Sequence, residues 1–178
     1  MRGRRAPVIA MHGMRIETFN AASRDDAIAA IKPCLDIARW IDAIVDARPY
    51  AGIDALLQHA RSAAEPFTQA EIDGALAHHP RIGERARGSG AEAKFSSAEQ
   101  AGLGAGSQDI EQALHQGNLD YERKFGRVFL IRAAGRDRAE IHAELRRRMH
   151  NDIAAELREV GGQLREIALG RLRAIFVG

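Results

Sequence analysis

The chain has 178 residues, of which 46% are apolar, 28% charged and 5% aromatic, enough length and apolar content for one domain with its own core and too apolar for a disordered chain. The net charge is +2 at a pI near 9.0, and acidic residues are interleaved with the many arginines, so no basic face for nucleic acid is evident. No apolar run approaches the roughly 18–20 residues that cross a bilayer, so no membrane partner is expected.

The N-terminal stretch "MRGRRAPVIAMHGMR" begins basic, but its apolar part "APVIAM" is shorter than the roughly 7–15 residues of a secretory core. Residues 1–16 are therefore read as an arm, whose order the sequence leaves open, and 17–178 as a helical domain. The single cysteine, Cys34, can form no internal disulfide and belongs to no CxxC pair, which suits a reducing cytoplasm. Ser23 with Asp26 starts a helix into "AIAAI". Pro33 marks a new start, and Leu35, Ile37, Ala38, Ile41, Ile44 and Val45 keep mostly helical spacing, with Trp40 packed among them, until Pro49. "GIDALLQHARSAA" is a further helix. Thr68 and Glu71 form a capping box that opens a helix ending at His79, where Pro80 stops it. From Arg81 to Phe95 the glycines Gly83, Gly88 and Gly90 appear among charges with no period, which reads as a long loop of the kind that carries function. Residues 109–125 read as one or two helices ending at Gly126. "RVFLIRAAG" is the one extended apolar run. Arg138–Met149 and Asn151–Phe176 are helical. The fold class is all-α, a single-domain multi-helix bundle.

Four places carry candidate chemistry. His79, at a helix end, either satisfies the last carbonyls or carries a proton near neutral pH. Ser96 and Glu99 read as an S-x-x-E box, which would set a hydroxyl and a carboxylate at a helix N-terminus suited to an anion. The extended run between Gly126 and Gly135 has no second strand to pair with, so its backbone groups need other partners, such as a ligand with amide edges. Arg171 and Arg173 stand on a late helix with Ile167, Leu172 and Ile175.

These blocks occur in a telling order: "HPRIG" at 79–83, S-x-x-E-Q at 96–100, N-x-x-Y-x-x-K-F-G-x-x-F at 118–129 and I-A-x-x-R-L at 167–172, with "ARPYAG" at 47–52 upstream. Together they resemble the 2-oxo-4-hydroxy-4-carboxy-5-ureidoimidazoline (OHCU) decarboxylase family, from about Phe19 to Phe176. The resemblance implies an all-α homodimer without metal or organic cofactor, converting OHCU to (S)-allantoin and CO2 in urate degradation. It implies His79 as the catalytic proton donor, acting with Glu99 and Arg171. Pro80, Ser96, Gln100 and the run Ile131, Arg132, Ala133, Ala134 and Gly135 would bind substrate. Gly170 stands where the family commonly has a larger apolar residue, so Arg173 is a second candidate for the arginine.

The implied chemistry suits these residue types. When CO2 leaves, the electron pair flows into the adjacent C=N bond, so the substrate is its own electron sink. A proton must then reach one face of the neighbouring carbon, a task for a held imidazole. Two alternatives stand beside this reading. One is a ureide hydrolase, which should show a nucleophile or metal ligands, whereas Cys34 has apolar neighbours and no H-E-x-x-H pattern occurs. The other is an Arg-rich helical binding module, which should show an aromatic platform or a helix-turn-helix.

Overall fold

A computed structural model describes residues 13–77, 79–84, 90–103 and 106–176. The described residues form nine helices: α1 (Ile16–Ala21), α2 (Arg24–Ile31), α3 (Ala38–Asp46), α4 (Ile53–Ser62), α5 (Gln69–Leu76), α6 (Ala91–Ala101), α7 (Gln108–Phe125), α8 (Arg138–Arg148) and α9 (Ile153–Ile175). No strand occurs among them, only an isolated parallel bridge between Met14 and Phe176, so the all-α expectation holds. None of these helices is long and apolar enough to cross a membrane.

Side-chain caps set most helix starts. Ser23 accepts from the Asp26 N–H, and Ser107, Asp137 and Asp152 do the same for α7, α8 and α9. The Thr68–Glu71 box is complete in both directions, as is Asp137–Glu140. Each satisfies N–H groups that a helix start leaves orphaned. Gly126 ends α7 in the left-handed conformation, φ 68°, which glycine adopts without penalty.

The core falls into two apolar clusters. The larger gathers residues of α1–α5 around α9, with Phe19, Trp40, Ile44, Leu56, Val160, Ala168 and Leu172 fully enclosed. The smaller joins α7 and α8 to the extended run through Tyr121, Phe129, Ile131, Ile141 and Leu145. Leu130 belongs to the larger cluster while its neighbours Phe129 and Ile131 belong to the smaller, so the extended run is the seam between them.

Three boundaries differ from the sequence reading. α3 begins at Ala38 instead of Pro33, because the Cys34 N–H turns back to the Ile31 carbonyl at 2.9 Å and closes α2. α5 ends at Leu76, not His79, since proline disfavours helical geometry in the residue before it. α6 begins at Ala91, inside the expected loop, so Ser96 and Glu99 lie in mid-helix and form no capping box. Of the expected arm, residues 1–12 lie outside the described residues. Gly13 and Met14 both donate to the Ile175 carbonyl at 3.0 Å, and Ile16 opens α1. His78 and the loop residues 85–89, Gly88 among them, are likewise outside.

Candidate active site

His79 sits three residues beyond the end of α5. Its backbone N–H donates to the Leu76 carbonyl at 3.0 Å, and its ring Nδ1 lies 3.0 Å from the Ala75 carbonyl. A carbonyl only accepts, so Nδ1 carries the proton and Nε2 of the neutral ring is a bare acceptor. Nε2 is buried and has no hydrogen-bond partner among the described residues. Burial, and next the positive charge of Arg171, push the imidazole pKa below its ordinary value; the Ala75 bond and the Glu92 and Glu99 carboxylates pull the other way. The ring is therefore neutral near pH 7.

The second wall comes from α6. Ser96, Glu99 and Gln100 stand at i, i+3 and i+4 and share one face. Glu99 is gripped from behind by Arg171 of α9, with Nε to Oε1 at 2.7 Å and Nη2 to Oε2 at 3.0 Å. The same Nη2 donates to the Ser96 hydroxyl at 3.2 Å. This bond explains the missing cap: Ser96 serves a buried guanidinium instead of a helix end. Arg171 is 2% exposed and joined to Glu99 of the cleft wall, whereas Arg173 faces solvent.

The third wall is the extended run. Residues 131–134 alternate buried and exposed as an extended chain should. The Arg132 N–H is held by Gln163 of α9 at 2.8 Å, and the Leu130 carbonyl by Arg148 of α8 at 2.7 Å. These two bonds occupy one edge of the run. The Ile131 N–H and C=O and the Ala133 N–H are left on the other, with no hydrogen bond among the described residues.

The three walls meet at a narrow cleft, about 30 Å³ in volume. His79, Pro80, Ser96, Glu99, Gln100, Ile131 and Ala133 all line it. Arg132, Ala134 and Gly135 do not; they are exposed, Arg132 and Ala134 by the alternation and Gly135 because the chain turns there with φ +81°. Arg171 is also absent from the lining, one layer behind Glu99. Sequence reasoning missed the apolar lining, Ile82, Phe129, Leu130 and Ile167. Ile167 was findable, being one helical turn before Arg171 on the same face. Gln100 is already engaged: its Oε1 accepts from the Gly83 N–H at 2.9 Å.

A second buried ion pair braces the wall from behind. Arg148, fully buried, donates through Nε to Glu156 at 2.8 Å, stacks over Phe129 at 4.6 Å and holds the Leu130 carbonyl. Tyr121 donates its hydroxyl to Glu156, and Asn151 bonds the other carboxylate oxygen at 2.8 Å. Among the described residues no group of three or more His, Cys, Asp or Glu side chains is placed to hold a metal ion. Cys34 is 1% exposed, and burial pushes its thiol up to about 12, so it is no thiolate nucleophile at neutral pH.

Known proteins share this arrangement of sequence and fold. A mouse 2-oxo-4-hydroxy-4-carboxy-5-ureidoimidazoline decarboxylase is 30% identical over 132 residues, covering 73% of this chain and 74% of its own. The enzyme of that name from Xenopus laevis is 26% identical, covering 92% of this chain and 95% of its own. A uric acid degradation bifunctional protein from Bacillus sp. (strain TB-90) is 25% identical over 92% of this chain, which spans 32% of that longer protein. In fold, the chain is similar to a crystal structure of OHCU decarboxylase in the presence of (S)-allantoin, at TM-score 0.65 and 22% identity, over 87% of this chain and 99% of the other. The OHCU decarboxylase family model matches residues 20–173, a span that takes in every wall of the cleft, and the chain belongs to that family.

Proposed function

We propose that this protein is a carboxy-lyase that converts OHCU to (S)-allantoin and CO2, with no metal or organic cofactor. The observation that carries the reading is the buried Nε2 of His79, without a partner among the described residues, on a residue that lines the same cleft as Glu99, Ile131 and Ala133.

The reaction needs one bond broken and two protons moved. The carbon–carboxylate bond breaks, and its electron pair becomes a double bond to the neighbouring ring carbon as the C=N electrons move to nitrogen, which gains a proton. The resulting enol then loses its hydroxyl proton, and the neighbouring carbon gains one. A neutral imidazole suits this second stage. His79 Nε2 takes the hydroxyl proton and returns a proton to the carbon on the face it covers, so it acts as base before it acts as acid. A pKa held below its ordinary value by burial suits the base step, which precedes the donation expected of His79.

Glu99 accepts from the substrate hydroxyl or a ring N–H. Arg171 fixes Glu99 through two parallel bonds and works as a positioning residue. Ser96 holds that guanidinium in turn. The Ile131 and Ala133 peptide groups and Pro80 receive the ring and ureido arm, held between the walls so that only one face meets His79. Gln100 reaches the ureido arm by exchanging its bond to Gly83. We further read the protein as a cytoplasmic homodimer without nucleic-acid partners.

The test generates OHCU by oxidation and hydrolysis of urate, adds the protein and follows circular dichroism. Rapid appearance of one allantoin enantiomer is expected, insensitive to chelator. A rate no faster than the protein-free control, or a racemic product, contradicts the proposal.

A further inference from the structure

The imidazole stands on the segment between α5 and α6, and three side chains from two helices hold residues 81–83 of it. Arg81, two positions after His79, forks onto Glu122 of α7, with Nε to Oε1 at 2.5 Å and Nη2 to Oε2 at 2.7 Å. Asn118, one turn earlier on the same face of α7, donates to the Ile82 carbonyl at 3.4 Å. Gln100 of α6 accepts from the Gly83 N–H, and Gly83 takes φ +86°, a left-handed turn suited to glycine. Between the fork and the imidazole stands only Pro80, whose ring fixes φ near −65°. A displacement at Arg81 is therefore passed to His79 with little slack.

Resting on the proposed decarboxylase reading, we propose that the Arg81–Glu122 fork is the positioning device of the catalytic histidine, setting the loop against α7 so that Nε2 meets the substrate carbon. Neither Arg81 nor Glu122 lines the cleft, so the fork acts through the backbone that carries His79. Its side chains are 35% and 23% exposed, and ion pairs at that exposure add little to stability. A fork of near-ideal geometry on a half-exposed loop is better explained by placement of the adjoining ring than by the strength of the fold.

The experiment compares Arg81→Gln, Glu122→Gln and the double variant with the wild type, reading kcat, KM, Tm and the His79 imidazole titration by NMR. The groups facing that ring are the Ala75 carbonyl from α5, Glu92 and Glu99 from α6 and Arg171 from α9; neither Arg81 nor Glu122 is among them, so a direct charge effect is small. Each single variant should lose about tenfold or more in kcat, since an ångström of misplacement is that costly. KM should stay within about threefold, and Tm within about 3 °C. The double variant should be no worse than the poorer single, as expected of two groups that act as one. The imidazole midpoint should rise toward its ordinary value as water reaches the loosened ring. Arg61→Gln, which breaks an exposed pair with Glu166 on α9, should change none of these. Retained kcat, losses that multiply, or a kcat loss that merely follows Tm at an unmoved midpoint overturns the proposal. If the wild type does not process OHCU, the decarboxylase reading fails, and the titration then decides the positioning claim: an unmoved midpoint in the double variant overturns it.

Discussion

Arg171 and Arg148 are both buried arginines held by a glutamate, and their surroundings make them different devices. Arg148 is closed on every side: Glu156 is 1% exposed, and Tyr121 and Asn151 take up its remaining acceptor capacity. Arg171 is closed behind but its partner is not, for the Glu99 side chain is 26% exposed and forms part of the cleft wall. On the same cleft, His79 Nε2 has no hydrogen-bond partner among the described residues. A satisfied buried pair specifies structure; a pair that leaves acceptor capacity facing a cavity is equipped for a ligand. The two also cooperate, since Arg148 holds the Leu130 carbonyl and so leaves the opposite edge of the run free.

The contrast predicts opposite phenotypes. The largest effect on stability belongs to the closed pair. Glu156→Ala strands a buried guanidinium, a defect of roughly 3–5 kcal/mol, and should lower Tm by roughly 10 °C in a scanning experiment. Activity per folded molecule should change far less. If the protein keeps its Tm, the closed pair is not structural and the comparison fails.

Arg171→Met comes next and should do the reverse. Glu99 can hydrate through the cleft, so Tm falls by only a few degrees, while the carboxylate loses its aim and kcat drops on the order of 10²-fold. A loss of Tm as large as that of Glu156→Ala, with kcat spared, would assign Arg171 to the fold instead.

How much of this was legible in the sequence divides along the same line. Caps are local, so Ser23, Thr68 with Glu71 and the Gly126 stop could be read directly. The S-x-x-E box at Ser96 misled because a local pattern was outbid by a partner 75 residues away. The same distance blindness hid the Arg148–Glu156–Tyr121 group, whose members show no periodicity of their own. In the extended run the segment was found, and the period of two separates Ile131 and Ala133, which line the cleft, from Arg132 and Ala134, whose side chains are exposed.

Smaller effects sharpen the picture of His79. Its folded pKa lies below the unfolded value of about 6.5, so the unfolded chain binds more protons in that range. Stability from the neutral ring is present above pH 6.5 and lost as the pH falls toward the folded pKa. Tm should decline over that window, and His79→Gln should make the decline shallower; an unchanged slope would place the pH dependence on other groups. Smallest of all is Arg173→Ala. Its side chain faces solvent, so kcat should be retained and stability should stay within about 0.5 kcal/mol.

The measurement closest to the centre of the account is the stereochemistry of the product made by His79→Asn, an uncharged replacement that cannot relay a proton. At unchanged Tm, this variant should lose the dichroism signal of a single allantoin enantiomer. Formation of the same enantiomer at the wild-type rate would show that the imidazole is not the group that delivers hydrogen to the ring.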